Sequence, residues 1–542
     1  MTRPGFFPTQ DFIYIARLYQ MDKAVSEGHF PVRWVKDFRY GEPLYNFYAP
    51  LSYYIGVAIK HSLFLSYIQT TKIIFGMTFL LSGLAMYLFV KSIFGRYPGF
   101  IAAILYMYAP YHSVDIYVRG ALSEAWALVF FPLIFWTIYR LSLQPTIRNT
   151  ALVALSLGGL FYTHNVMTML FSPFLLAWMG YCFLKNPGRK LGINLALSFV
   201  WGIAVAASFL LPAFIEKAFV QSKYLTQGYF DFRGHFVTVP QFFSTFWGYG
   251  ASVWGNEDGM SFQIGPAHWV LFGLSLLTGF LLIARRKLKG LFKIIFETSK
   301  FDSALLTYGF FVATFGLSLF MQHNKSAFVW ERFDLLSFTQ FPWRFLGLSI
   351  FFVSAACSLL VLVFKPRLTV VFVIAIIVAT YTFNIGFFRP DSYYYDSIDE
   401  HYISIKILSQ DDKLPRDYLP IWVKRIKLER FSEPTFSMGE GSISAFIKKT
   451  AETSFQTTST QSATLQVPIT YFPGWQLKID GQRSDLLEPD DVGLIKFNVP
   501  SGQHKIQLQF RDTPIRTIAN ITSLVSLVAV AIFLRRRKNA LS

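Results

Sequence analysis

Carboxylates and arginines recur in this 542-residue chain where apolar runs give way to short polar turns. The first is Asp11, in QDFIYIARLYQ. A carboxylate at that place can take a proton from a hydroxyl group. Asp is also a favoured helix N-cap, and the two roles are compatible. The second place is APYHSVDIYVRGALSEAWAL, where Asp115 and Arg119 stand four apart and Glu124 opens the next apolar run. That spacing suits an ordinary ion pair on one helix face. It also suits chemistry, since two carboxylates can activate an acceptor or share a divalent cation while the arginine holds a phosphate. His164 and Asn165 interrupt FYTHNVMTML, either as a polar turn or as a substrate contact. Arg344, in SFTQFPWRFLGLSIFF, reads as an interfacial anchor or as the partner of a lipid phosphate.

Further candidates lie in Gln10 to Tyr54, a stretch too polar to cross a bilayer and too aromatic to be a linker. Arg33, Lys36, Asp37, Arg39 and Glu42 alternate there with Trp34, Phe38, Tyr40, Tyr45, Phe47 and Tyr48. This mixture suits an anionic, partly lipidic molecule at an interface, with Arg33 and Arg39 as binding cations. The chain has no glycine-rich phosphate loop, no HExxH and no GxSxG, so ATP-driven transport and serine hydrolysis lack support.

The elements that must position these residues are membrane helices. A chain that is 53% hydrophobic and 18% aromatic is polytopic. Hydropathy places spans at about 70–90, 100–118, 122–140, 150–164, 166–184, 192–213, 266–284, 304–321, 345–364, 369–388 and 516–534. That is about 11 helices, with 50–65 lying along the interface. Residues 1–388 form the transmembrane domain, with outer loops at 1–69 and 215–265. Residues 389–514 alternate apolar and polar positions between PGW, DGQ and PSGQ turns, and predict an extracytoplasmic β-rich domain. Residues 515–542 supply a last span and a basic cytoplasmic tail.

The net charge of +18 fits this topology. Segments 91–99, 140–149, 185–191, 285–303, 365–367 and 535–542 hold 19 Lys and Arg against only Glu297 and Asp302. The positive-inside rule puts all of them in the cytoplasm, which removes the case for a nucleic-acid partner. The chain's N-terminus then lies outside, the C-terminus inside, and a span preceding Met1 is expected to carry the first loop across. The two cysteines, Cys182 and Cys357, fall in apolar runs and predict neither a disulfide nor a zinc site.

Taken together, QDFIYIARLYQ, GHFPVRWVKDFRYGEPLYNFYAPLSYY, VDIYVRGALSE, YTHN and QFPWRF resemble bacterial membrane proteins with a 6-pyruvoyl-tetrahydropterin synthase-related membrane domain. These are similar to the GT-C glycosyltransferase superfamily. The likeness covers most of residues 5–388, and YFPGWQLKIDG with VPSGQHKIQLQF is similar to the outer domain of related proteins. The resemblance implies a polyprenyl-phosphate-sugar donor, inverting transfer at the outer face, and an essential carboxylate in the first outer loop. Asp11 occupies that place, although relatives often carry His-Asp where this chain has Gln10-Asp11. The implied roles are Asp11 as general base, Arg119 and Arg344 against the departing phosphate, and Asp115 and Glu124 orienting the acceptor or a divalent cation. No organic cofactor and no pterin chemistry follow. A transporter or flippase for a lipid-linked glycan would use the same interface without a base, and a non-catalytic envelope scaffold would need neither.

Overall fold

The computed structural model describes residues 3–255, 257–285, 298–363, 366–404, 416–425 and 431–535. The protein is a polytopic α-helical membrane protein with a β-sheet region near its C-terminal end. Among the described residues, seven helices are long and apolar enough to cross a membrane. They are Tyr67–Phe94, Leu122–Leu143, Asn165–Lys185, Ala304–Gln322, Pro342–Leu362, Leu368–Phe387 and Pro514–Arg535. Arg189–Val205 and Ala207–Phe219 together make an eighth, bent by 74°, and Ile147–Phe161 and Pro266–Leu281 are shorter apolar helices. The basic segments 285–303, 365–367 and 535–542 fall wholly or partly outside the described residues.

The stretch 100–118 departs from the expected continuous span. Helix Arg96–Met107 stops short, and the chain re-forms as a single turn, Pro110–Ser113, followed by a π-helical turn, Val114–Arg119. Pro110 cannot donate a backbone hydrogen bond, so the helix must restart at it. Gly120 ends the π turn in the left-handed region at φ 69°, and the Ala121 N–H closes back on the Asp115 carbonyl at 2.7 Å. A Cβ on Gly120 would lie 2.5 Å from the Asp11 carbonyl oxygen, so only glycine lets the two segments approach. The break thus turns a would-be span into a shelf for the first outer loop.

Outside the helices, eight strands are described. β1 (Thr435–Met438), β4 (Ala463–Thr470) and β7 (Leu494–Val499) form one antiparallel sheet in the order β1-β4-β7. β2 (Gly441–Lys448), β3 (Glu452–Ser459), β8 (Gly502–Phe510), β5 (Trp475–Ile479) and β6 (Gln482–Ser484) form the other, in the order β2-β3-β8-β5-β6. Phe455, Leu465, Val467, Phe497, Ile506 and Leu508 fill the core of this region. Asp480 and Gly481 both take positive φ between β5 and β6, the conformation that favours Asp-Gly in two-residue hairpins.

The first outer loop packs between the helices and the sheets. Trp34 meets Trp475 edge-on with centroids 5.5 Å apart, and its ring lies 5.2 Å from that of Phe510. The Thr470 N–H donates to the Tyr40 carbonyl, and Lys36 Nζ donates to the Lys448 carbonyl. Beneath them sits a buried hub in which Glu216 accepts from Asn46 at 2.6 Å, from Arg516 at 2.9 Å and from Thr513 at 2.9 Å. The hub links the first loop, the bent helix and the last span, so three remote parts of the chain share one anchor.

Candidate functional site

A cavity of about 830 Å³ opens where the first outer loop, the shelf at 119–124, the His164 turn, the bent helix, the 229–260 loop and the 335–344 turn meet. Asp11 enters it through backbone pairing. Gln10 N–H donates to the Val118 carbonyl and Asp11 N–H to the Arg119 carbonyl, both at 2.9 Å, which lays Asp11 against the shelf. The Gln10 side chain donates to the Gly250 carbonyl at 2.6 Å, joining the same strip to the second outer loop.

Asp11 Oδ1 accepts the Ile13 N–H at 3.0 Å, and Oδ2 lies 3.3 Å from Arg17 Nη1. Its side chain keeps 39% of its surface exposed, whereas that of Glu124 keeps 1%. Asp11 is therefore more open to a ligand than Glu124; the helix N-cap is Phe12, and Asp11, expected as the cap, instead reaches the first helical N–H from one residue further back. Arg17 is buried and lies 4.3 Å from the Tyr48 ring centroid. Burial opposes its charge, but Tyr48, Asp11 and Tyr53 outweigh that and hold its pKa above the ordinary arginine value.

Asp115, Arg119, Glu124 and Arg344 form one buried ionic network. Arg119 donates from Nη1 to Asp115 Oδ1 at 2.5 Å and from Nη2 to Glu124 Oε2 at 2.9 Å. Arg344 Nε lies 3.3 Å from the same Glu124 oxygen, and the Tyr111 hydroxyl donates to Glu124 Oε1 at 2.5 Å. Arg344 also donates to the Thr339 carbonyl and to Gln340 Oε1. Trp343 and Phe341 stack on the two guanidinium groups, at 4.6 and 5.0 Å. Both Glu124 oxygens are thus engaged, and Asp115 lies behind Arg119 without lining the cavity. Both carboxylates pair with Arg119, as a buried guanidinium requires, and Glu124 also lines the cavity. Among the described residues no three His, Cys, Asp or Glu are placed to share a metal ion.

His164 lines the cavity as the N-cap of Asn165–Lys185. Its Nδ1 accepts the Met167 N–H at 3.1 Å, which leaves Nε2 to carry the proton. Arg33 and Arg39 lie apart from the cavity. Arg33 donates to Asp512, Asn46, Asn520 and the Ser208 carbonyl, bracing the loop against the last span. Arg39 is buried and pairs with Glu42 at 3.2 Å. Both cations are spent on holding the loop, so neither contributes to the cavity wall.

Three cavity residues escaped the reading of the sequence. Arg17 is a lone cation in the apolar run that follows Asp11, a signal that was available. Asp417 has its carboxyl pushed up by burial, against the pull of Arg17. Lys217 sits in the last turn of the bent helix, Glu216–Phe219, with its Nζ 3.8 Å from the Phe338 ring centroid, and no carboxylate pairs with it among the described residues. Around Lys217 the wall is apolar, with Phe214 84% and Leu335 64% exposed. The arrangement joins a cationic, hydrogen-bonding interior to a greasy mouth, which suits an amphiphile with an anionic head.

Residues 423–522 match the family described as "Bacterial membrane protein YfhO". The chain is 36% identical over 74 residues to the uncharacterized protein YfhO of Bacillus subtilis (strain 168), covering 14% of this chain and 8% of that protein. It is 24% identical over 224 residues to an uncharacterized protein of Lactococcus lactis subsp. cremoris (strain MG1363), covering 39% of this chain and 36% of that protein. The chain therefore spans little more than a third of one relative and under a tenth of the other. Among solved structures, the arabinofuranosyltransferase AftD from Mycobacteria aligns over 72% of this chain and 26% of its own, at TM-score 0.43 and 12% identity.

Proposed function

We propose that the protein is a membrane glycosyltransferase of the GT-C type, moving a sugar from a polyprenyl-phosphate donor to an acceptor on the extracytoplasmic side. One observation supports this reading: a part-exposed carboxylate, Asp11, shares a cavity with two arginines, Arg119 and Arg344, that pair with buried carboxylates. In the reaction Asp11 takes the proton of an acceptor hydroxyl as its oxygen attacks the anomeric carbon. The bond from that carbon to the phosphate oxygen breaks with inversion, and the negative charge left on the lipid phosphate is met by Arg119 and Arg344. Asp115 and Glu124 act as positioning residues for those arginines, and His164 Nε2 is a donor toward the substrate. Lys217, at the apolar mouth, meets the phosphate as the lipid enters.

The orientation follows from charge. Asp11, the shelf and the strands lie at the helix ends opposite 91–99, 140–149 and 185–191, whose Lys and Arg favour the cytoplasm. The cavity then faces outward from the plasma membrane, as does Asp11, with the C-terminus inside.

Purified protein in nanodiscs, given labelled polyprenyl-phosphate sugar and acceptor, should yield a new glycoside. Asp11→Asn should cut turnover by roughly 10²- to 10⁴-fold, the usual contribution of a general base. Its melting temperature should fall less than that of a Glu124 variant, because Asp11 is part-exposed and faces one arginine rather than two. Relocation of the lipid without a new glycoside would favour a flippase, and neither outcome would favour a scaffold. Undiminished turnover in the Asp11 variant would remove it from the chemistry.

A further inference from the structure

The 229–260 loop carries a hydrogen-bonded relay that the proposed mechanism leaves unused. His235 Nε2 lies 2.6 Å from the Tyr229 carbonyl, which can only accept, so Nε2 carries the proton. His235 Nδ1 is then an acceptor, and the Ser252 hydroxyl 2.8 Å away must donate to it. The Tyr229 hydroxyl closes the ring by donating to the Ser252 carbonyl at 2.9 Å, and its ring packs edge-on against the imidazole. Burial lowers the imidazole pKa, which keeps it neutral around pH 7. Ser252 and Tyr229 are both on the cavity wall, and Ser252 is two residues from the Gly250 carbonyl that Gln10 holds beside Asp11.

A serine whose only proton is committed to histidine presents lone pairs alone. We infer that Ser252, with its rotor fixed by His235 and the Tyr229 carbonyl, accepts a hydrogen bond from one sugar hydroxyl and thereby selects for substrates that carry it. The hydroxyl belongs to the donor sugar or to a saccharide acceptor, since both must lie beside Asp11. A serine free to rotate would accept or donate and discriminate little. A serine locked by a neutral imidazole rejects any ligand without a donor at that point, because its desolvated lone pairs are left unmatched. This inference rests on the glycosyl-transfer reading for its ligand class.

The test uses the full-length protein in nanodiscs with two series of monodeoxy compounds, one of the donor sugar and one of the acceptor, each followed by transfer and by binding. The wild type should lose about 10- to 10²-fold in kcat/KM on one compound of one series, which also tells donor from acceptor. Ser252→Ala should fall by a similar factor on the complete substrate and treat that deoxy compound no worse than the complete one. His235→Gln, whose amide can still accept from Ser252 and donate to Tyr229, should keep the discrimination, and His235→Leu should lose it. A Ser252→Ala protein that slows equally on every compound, or still rejects the same one, overturns the assignment. If the wild type transfers nothing yet binds the complete compound better than one deoxy relative, glycosyl transfer fails while the role of Ser252 stands. Absence of any hydroxyl-dependent binding sinks the role of Ser252.

Discussion

Glu124 and Asp11 are both carboxylates on one cavity, and what separates them is the number of partners each already holds. Glu124 receives Tyr111 and Arg119 and lies 3.3 Å from Arg344, with almost no surface left. Asp11 has a backbone N–H, one arginine and open surface. Glu124→Gln should therefore behave unlike Asp11→Asn. Gln cannot balance two buried guanidinium groups, so removing this anion should cost about 3–5 kcal/mol of stability, as breaking a buried ion pair does. A melting temperature far below that of Asp11→Asn, together with lost transfer, is the expected outcome, and an unshifted melting curve would contradict the network. The sequence made the pairing of Asp115 with Arg119 readable, because four residues along a helix set it. It did not reveal that Arg344 shares Glu124, since that contact depends on how two distant spans pack. That Arg33 and Arg39 lie outside this cavity was hidden for a related reason: aromatic neighbours around an arginine suit a ligand and a packed loop equally well.

At the scale of elements, the interruption at 108–120 sets the geometry of the site. Hydropathy reads 100–118 as one span because apolar residues continue through it, and only Pro110 and Gly120 hint otherwise. The turn at Asp480-Gly481, by contrast, was legible, since its residue types specify a hairpin locally. A π turn carries no such signature, and its register shows only when Asp11 pairs with the Arg119 backbone. Gly120→Ala tests that contact. A left-handed alanine costs about 1–2 kcal/mol, and its Cβ must also displace the Asp11 carbonyl. Transfer should drop at least about tenfold, since small displacements of a base are costly in rate, while the fold survives. Equal turnover in the Ala variant would mean that the approach of shelf and loop has no bearing on catalysis.

Across the whole molecule, the first outer loop is the joint between the membrane helices and the strands, and Glu42 marks its interior. Glu42 is 4% exposed and its backbone pairs with Val35 in both directions at 3.0 Å. Burial pushes its carboxyl up to about 7, against the pull of Arg39 and Arg17 and with a further push from Asp417. A folded-state value above the ordinary 4.5 means that the folded protein holds this proton more tightly than the unfolded chain does. Its contribution to stability is then present in full at low pH, declines as pH rises from about 4.5 to about 7, and is constant above. The shift sets the size of that decline at about 3 kcal/mol. Glu42→Gln removes the titrating group while keeping an acceptor for Arg39, so the variant should gain stability relative to the wild type as pH rises through that window. Melting curves of both proteins in one detergent between pH 4.5 and 8 read the difference, which cancels the other titrating groups they share. A difference that stays level across the window would show that Glu42 is ionised in both states, and that the joint holds a full Arg39–Glu42 charge pair rather than a proton.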